Sequence, residues 1–205
     1  MNLLERIHSM GVHDRRVRVL AGALVDLLPA NARLLDIGCG DGRLAALIRS
    51  LRPDVAVEGV DVLVRPETAI PVTAFDGRVL PFADDTFDAV MMIDVLHHAE
   101  NPAALLAEAQ RVARQVVLIK DHRRNGLFAD ATLRFMDWVG NARHGVALPY
   151  TFWSEAQWRE TFAQVGLTVE VWHTRLGLYP WPASLLFDRA LHFVTRLQVR
   201  SDPVR

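Results

Sequence analysis

Residues 34–48, LLDIGCGDGRLAALI, narrow the possible fold more than any other part of this chain. A short apolar run breaks into glycines at alternate positions, Gly38, Gly40 and Gly42. Leu44, Leu47, Ile48 and Leu51 then recur at helical spacing, and VAVEGVDV (55–62) is β-rich. Strand, glycine turn, helix and strand in so few residues ask for a right-handed parallel crossover.

The rest of the chain extends the same plan. Val17, Leu20, Leu24, Leu27 and Leu28 predict a helix over 14–28 that Pro29 stops. VTAFDG reads as a short third strand ending at Asp76, and AVMMI within 87–98 as a buried fourth strand that empties into polar residues. Asn101 and Pro102 fit the N-cap and first position of a helix, followed by a fifth strand, QVVLIKDH. ADATLRFMDWVG has helical spacing, with Gly140 as a possible end. SEAQWRETFAQVG carries a capping box at Ser154 and Gln157 and a closing Gly166. LTVEVWHTRLG and LHFVTRLQV alternate as strands, the last pointing to an antiparallel edge pair. We expect one domain over 1–205, with 1–30 as an N-terminal helical cap and 123–153 as a variable lid segment, its 145–153 portion poised over an apolar acceptor. LGLYPWPASLLF (176–187) interrupts the last hairpin, as a pocket wall or a dimer contact.

Composition excludes several classes. The formal net charge is −1, so no global field attracts nucleic acid. The arginines are scattered and Lys120 is the only lysine, a usage we read as bacterial codon bias; Arg15, Arg16 and Arg18 read as a solvated helix face. Cys39 is the only cysteine, which rules out an internal disulfide. No run approaches the roughly 18–20 apolar residues that span a bilayer, and MNLLERIHSMGVHDRR lacks a signal-peptide core. We therefore expect a cytoplasmic protein without stable membrane insertion, a monomer or homodimer.

A dinucleotide turn rests a pyrophosphate on the helix N-terminus. Here Asp36 and Asp41 place carboxylates where a pyrophosphate would need neutral or positive neighbours. A cofactor with an amino group, a sulfonium and no phosphate, S-adenosylmethionine, suits them better. Asp61, about 20 residues past the turn, can accept from ribose hydroxyls, and Asp76 from an adenine amino group.

With these residues in order, the sequence resembles the class I SAM-dependent methyltransferases, in their small-molecule, methyltransferase type 11-like branch. LLDIGCGDG, GVDV and the block FDGRVLPFADDTFDAVMMIDVLHHAENPAALLAEAQRVAR carry the likeness, over residues 33–122. The resemblance implies a Rossmann-like methyltransferase fold: α/β, doubly wound, with a mostly parallel seven-stranded sheet and a C-terminal antiparallel hairpin. It also implies a cofactor site of Asp36, Gly38, Cys39 and Gly40 at the methionine end, Asp61 and Val62 at the ribose, Asp76 and Gly77 at the adenine, and Ile93 and Asp94 beside the sulfonium. Two departures are visible: no full helix separates strands two and three, and ARQVV replaces a PGG turn before strand five.

Methyl transfer from a sulfonium needs the acceptor aligned with the departing sulfur, and a general base where that acceptor is a hydroxyl. His97, His98, Asp121 and His122 are the candidates at the ends of strands four and five. Their alternatives are structural: a histidine capping the next helix, or Lys120 and Asp121 as an ion pair near the rim. Their spacing matches no recognisable metal signature, so no metal is expected. No Asn-Pro-Pro-aromatic motif ends strand four, which argues against a flipped base as acceptor. The expected activity is transfer to a small hydrophobic or aromatic metabolite, with S-adenosylhomocysteine as product. A SAM-binding regulatory or scaffold protein without turnover, and a nicotinamide oxidoreductase, are the competing readings.

Overall fold

The computed structural model describes residues 3–141 and 151–200. Seven strands form one sheet: β1 (Arg33–Ile37), β2 (Ala56–Asp61), β3 (Val72–Ala74), β4 (Phe87–Ile93), β5 (Ala113–His122), β6 (Leu167–His173) and β7 (His192–Val199). Their order is β3-β2-β1-β4-β5-β7-β6. The pairs among β1 to β5 are parallel, and β7 runs antiparallel to both neighbours. The chain has the expected doubly wound α/β fold with its last two strands antiparallel.

The alternation of each strand builds two cores. Leu35, Ile37, Val90, Met92, Val117 and Ile119 face α3 (Pro102–Val112) and α5 (Glu155–Gln164). Leu34, Ala89, Met91, Val116 and Leu118 face α1 (Leu3–Val25) and α2 (Arg43–Leu51). Each fully buried Leu, Ile, Val or Met contributes about 1.5–3 kcal/mol, so this double layer holds the strand ends in fixed relation. α4 (Ala129–Asn141) packs Leu133 on Phe152 and Leu191 in a small third cluster. The caps follow their chemistry: Asn101 accepts from the Ala104 amide at 3.1 Å, and Ser154 and Gln157 form a reciprocal capping box.

Three expectations need correction. The first helix ends at Val25, not at Pro29. Leu27 donates to the Leu24 carbonyl at 3.0 Å in a tighter turn, and Arg52 donates to the carbonyls of Val25 and Pro29 at 2.9 Å; the Val25 carbonyl has no helical donor there because residue 29 is proline. β3 stops at Ala74 because its partner strand stops at Asp61; Asp76 instead closes a turn, accepting the Arg78 and Val79 amides at 2.8 Å. As expected, β6 and β7 form an antiparallel pair at the sheet's edge, with β7 the inner strand. β7 lies between β5 and β6 and is buried on both faces over most of its length. Arg16 does not belong to a solvated face: it turns inward to Asp94, while Arg15 reaches the Gly177 carbonyl and Arg18 is exposed.

In the 176–187 segment, Leu178 is buried against the α1 layer, α6 (Ser184–Phe187) is one turn, and Trp181, Leu185 and Leu186 are exposed. Of the expected lid, 142–150 lies outside the described residues. Among the described residues no helix is long and apolar enough to cross a membrane.

Candidate cofactor and acceptor site

The glycine turn is built by its left-handed backbone. Gly38 and Gly42 have φ of 71° and 73°, and a Cβ on either would lie 2.6 Å from Val95 or Ile70. The turn consumes its own amides. Gly38 donates to the Val60 carbonyl at 2.8 Å, Cys39 to the same oxygen at 3.3 Å, and Gly42 to Cys39 at 2.9 Å. Gly40 donates to Asp61 Oδ2 at 2.8 Å, and Leu63 donates to Asp61 Oδ1 at 2.9 Å. Asp61 thus holds the turn against β2 and still faces a cavity.

Two cavities meet at Gly38. One, of about 430 Å³, has Asp61, Val62, Asp76, Gly77, Val95 and His98 in its wall. The other, of about 220 Å³, is walled by Asp36, Cys39, Ile93 and Asp94 from the sheet side and by Arg16, Val17 and Leu20 from α1. Nine of the ten expected cofactor residues therefore line these two cavities, which share Gly38, at the carboxyl ends of the strands. Gly40, the tenth, lines neither cavity and enters through its hydrogen bond to Asp61. Asp36 is 3% exposed, and burial together with the Asp61 charge pushes its carboxyl well above the usual range. Burial, reinforced by Asp36 and Asp61, pushes the Cys39 thiol up to about 12, so Cys39 is an unreactive thiol.

Behind the second cavity lies a buried polar cluster. Asp94, in a left-handed conformation at φ 59°, is held by Arg16 of α1 and by Lys120 of β5. Burial opposes its ionisation, but the charges of Arg16 and Lys120 hold the Asp94 carboxyl well below the usual range. Lys120 is fully buried; that burial lowers its amine to about 8 even with Asp94 beside it. The expected Lys120–Asp121 pair at the rim is thus absent: Lys120 points to Asp94, and both residues are interior. Asp121 accepts from the Leu96 amide at 3.1 Å, the His122 amide at 2.6 Å and His97 Nδ1 at 2.7 Å. Burial works against the Asp121 anion, but His97 and these hydrogen bonds keep its carboxyl below the usual range. His122 Nδ1 is 3.4 Å from His97 Nδ1, and burial with the nearby His97 lowers His122 to about 4.

Three of the four catalytic candidates, His97, Asp121 and His122, therefore meet. His98 stands apart in the wall of the larger cavity, its ring 4.0 Å from that of His97. Capping of the next helix falls to Asn101, not to either histidine. Ligand-type atoms of Asp94, His97, Asp121 and His122 lie within 4.8 Å of one another, a spacing that would admit a cation. Both carboxylates already have protein donors, however, and Arg16 and Lys120 balance their two charges. Arg16, Val95 and the Lys120–Asp94 pair went unread in the sequence, because only the packing of α1 on the sheet brings them together.

Comparison with known proteins agrees with this geometry. Residues 12–171 match the family described as "Methyltransferase domain", and the chain belongs to that family. Its fold is that of the class I SAM-dependent methyltransferases. The S-adenosylmethionine dependent methyltransferase of Mesorhizobium loti superposes with a TM-score of 0.63 at 16% identity, covering 86% of this chain and 96% of that one. A SAM dependent methyltransferase from Aquifex aeolicus gives 0.61 at 17% identity, covering 87% and 88%. In sequence, the ubiquinone/menaquinone biosynthesis C-methyltransferase UbiE of Desulfotalea psychrophila is 30% identical over 122 residues, 55% of this chain and 49% of that protein. The 27-O-demethylrifamycin SV methyltransferase of Amycolatopsis mediterranei is 33% identical over 110 residues, 46% of this chain and 40% of that protein. The matches span about half, or less, of these relatives' own length.

Proposed function

We propose that this chain transfers the methyl group of S-adenosylmethionine to a small hydrophobic or aromatic metabolite. The order of acids along one crevice carries the reading: Asp36 in one cavity, then Asp61 and Asp76 in the other, with Gly38 between. Asp36 suits the ammonium, Asp61 the ribose hydroxyls and Asp76 the adenine amine. The cofactor's sulfonium then falls near Ile93 and Asp94. The names of the relatives, one of quinone biosynthesis and one of rifamycin, support a small-molecule acceptor.

In the reaction a lone pair of the acceptor attacks the methyl carbon. The carbon–sulfur bond breaks with its electrons on sulfur, leaving neutral S-adenosylhomocysteine. Where the acceptor is a hydroxyl, its proton has to leave as well. We assign that proton to His97. Its Nδ1 is hydrogen-bonded to Asp121 at 2.7 Å, and the Asp121 anion would stabilise the imidazolium formed when Nε2 takes the proton. α4, which exposes Phe135 and Trp138, is the element we assign to covering the acceptor.

The test is transfer of labelled methyl from SAM to a panel of small phenols and quinols. Label should move into at least one of them. His97→Ala should slow that transfer by about 10²–10⁴-fold, the usual share of a general base, with S-adenosylhomocysteine binding retained. Tight cofactor binding with no transfer to any acceptor would favour a non-catalytic SAM-binding protein. Full turnover in His97→Ala would return His97 to a structural role.

A further inference from the structure

One buried imidazole has no task in the transfer described above. His192 is 2% exposed, and neither its Nδ1 nor its Nε2 meets a hydrogen-bond partner among the described residues. Burial, reinforced by Lys120 and His122, holds its ring well below the ordinary histidine range. The ring is therefore neutral, with one N–H to donate and one lone pair to accept. Leaving both unmet in a packed interior is unfavourable. Trp172 Nε1 is likewise buried and unpaired, but its ring stacks on Phe193 at 4.3 Å, and that packing explains its place. Packing alone would be served at position 192 by an apolar side chain.

The place of His192 in the sheet shows what it can reach. It opens β7 and pairs with His122 across the ladder, so both side chains leave the same face of the sheet. Lys120, two residues back on β5, shares that face and is bonded to Asp94. The His122 ring lies 4.9 Å from that of His192 and 4.5 Å from that of His97, and its Nδ1 is 3.6 Å from Asp94 Oδ1. One imidazole, that of His122, thus separates His192 from Asp94, beside the proposed sulfonium, and from His97, the proposed base. The half-buried Tyr179 of the 176–187 segment brings its ring within 5.9 Å of His192.

Resting on the methyl-transfer reading, we propose that His192 is a specificity residue of the acceptor site, hydrogen-bonding a second oxygen carried by the same aromatic ring as the hydroxyl that is methylated. The acceptor class is then a dihydroxyarene and not a simple phenol. His192 exchanges no proton in the transfer; it meets the second oxygen while His97 takes the proton of the first. The 176–187 segment, through Tyr179, becomes a wall of that site.

The experiment compares matched acceptors in the labelled-methyl assay with the full chain: hydroquinone against 4-methylphenol, and catechol against 2-methylphenol. The methyl group keeps the shape of the second hydroxyl and cannot hydrogen-bond. The wild type should favour the hydroxyl-bearing member of at least one pair by roughly 10- to 100-fold in kcat/KM, chiefly through KM. His192→Leu should bring that ratio near unity, with S-adenosylhomocysteine binding retained. His192→Gln, which keeps a donor and an acceptor, should recover part of it. A wild type without preference in either pair would overturn the assignment. So would a His192→Leu variant that slows all four acceptors alike, the mark of a structural residue, or one that keeps the wild-type ratio. No transfer to any of the four would overturn it as well. Alongside transfer to other phenols or quinols, that result would leave the methyl-transfer reading standing; without such transfer, both fall together.

Discussion

Asp36→Asn should move stability and cofactor binding in opposite directions. The Asp36 carboxyl is buried beside Asp61, and both effects disfavour its charge. Its folded-state pKa therefore lies above that of the unfolded chain, and stability is lost as pH rises through the folded value. The asparagine keeps the shape and cannot ionise. Relief of the buried charge should raise Tm at neutral pH, by about 2–4 °C per kcal/mol relieved in a chain of this size, and should not do so below pH 4. Binding responds the other way, since the cofactor's ammonium needs that anion. Loss of a charge-assisted hydrogen bond costs about 1.5–3 kcal/mol, or roughly 10- to 150-fold in Kd for S-adenosylhomocysteine. 5′-Methylthioadenosine, without the ammonium, should bind unchanged. Calorimetric titration of both ligands, with thermal unfolding from pH 4 to 8, checks the two halves together. Equal affinity for S-adenosylhomocysteine in wild type and variant, or equal weakening of both ligands, would refute the assignment of Asp36 to the ammonium.

Two further outcomes are expected. Asp61→Ala should weaken S-adenosylhomocysteine by well over tenfold, because it removes the ribose acceptor and frees the Gly40 and Leu63 amides that shape the turn; titration with an unchanged Kd would contradict this. His122 is lowered to about 4 against an ordinary 6.5, so the folded state binds fewer protons than the unfolded one between those values. Stability should fall as pH drops through that window, by at most about 3 kcal/mol in all, and His122→Gln should flatten this slope in denaturant titrations run at successive pH.

Most of the crevice around Gly38 was legible because its signals are local. A glycine turn needs positive φ at fixed offsets, and the acids at 36 and 61 sit where the strands end, so spacing along the chain translates directly into position in space. Asp76 shows the limit: the residue lines the larger cavity, but its strand was drawn two residues too long, since strand ends depend on the partner's length. The buried polar cluster around Asp94 was read less well for a physical reason. Asp94, Lys120 and Arg16 come from a strand end, another strand and a distant helix, and nothing in their sequence neighbourhoods announces that they meet. Arg16 looked like its exposed neighbours Arg15 and Arg18, because a helix turns each residue by about 100° and only the packed core decides which one faces inward.

The central claim is that the crevice around Gly38 holds S-adenosylmethionine and not a pyrophosphate cofactor. The most direct measurement is calorimetric titration of the purified chain with S-adenosylhomocysteine and, separately, with NADH. Saturable one-to-one binding of S-adenosylhomocysteine with no heat from NADH is the predicted result. Binding of NADH without binding of S-adenosylhomocysteine would contradict the account.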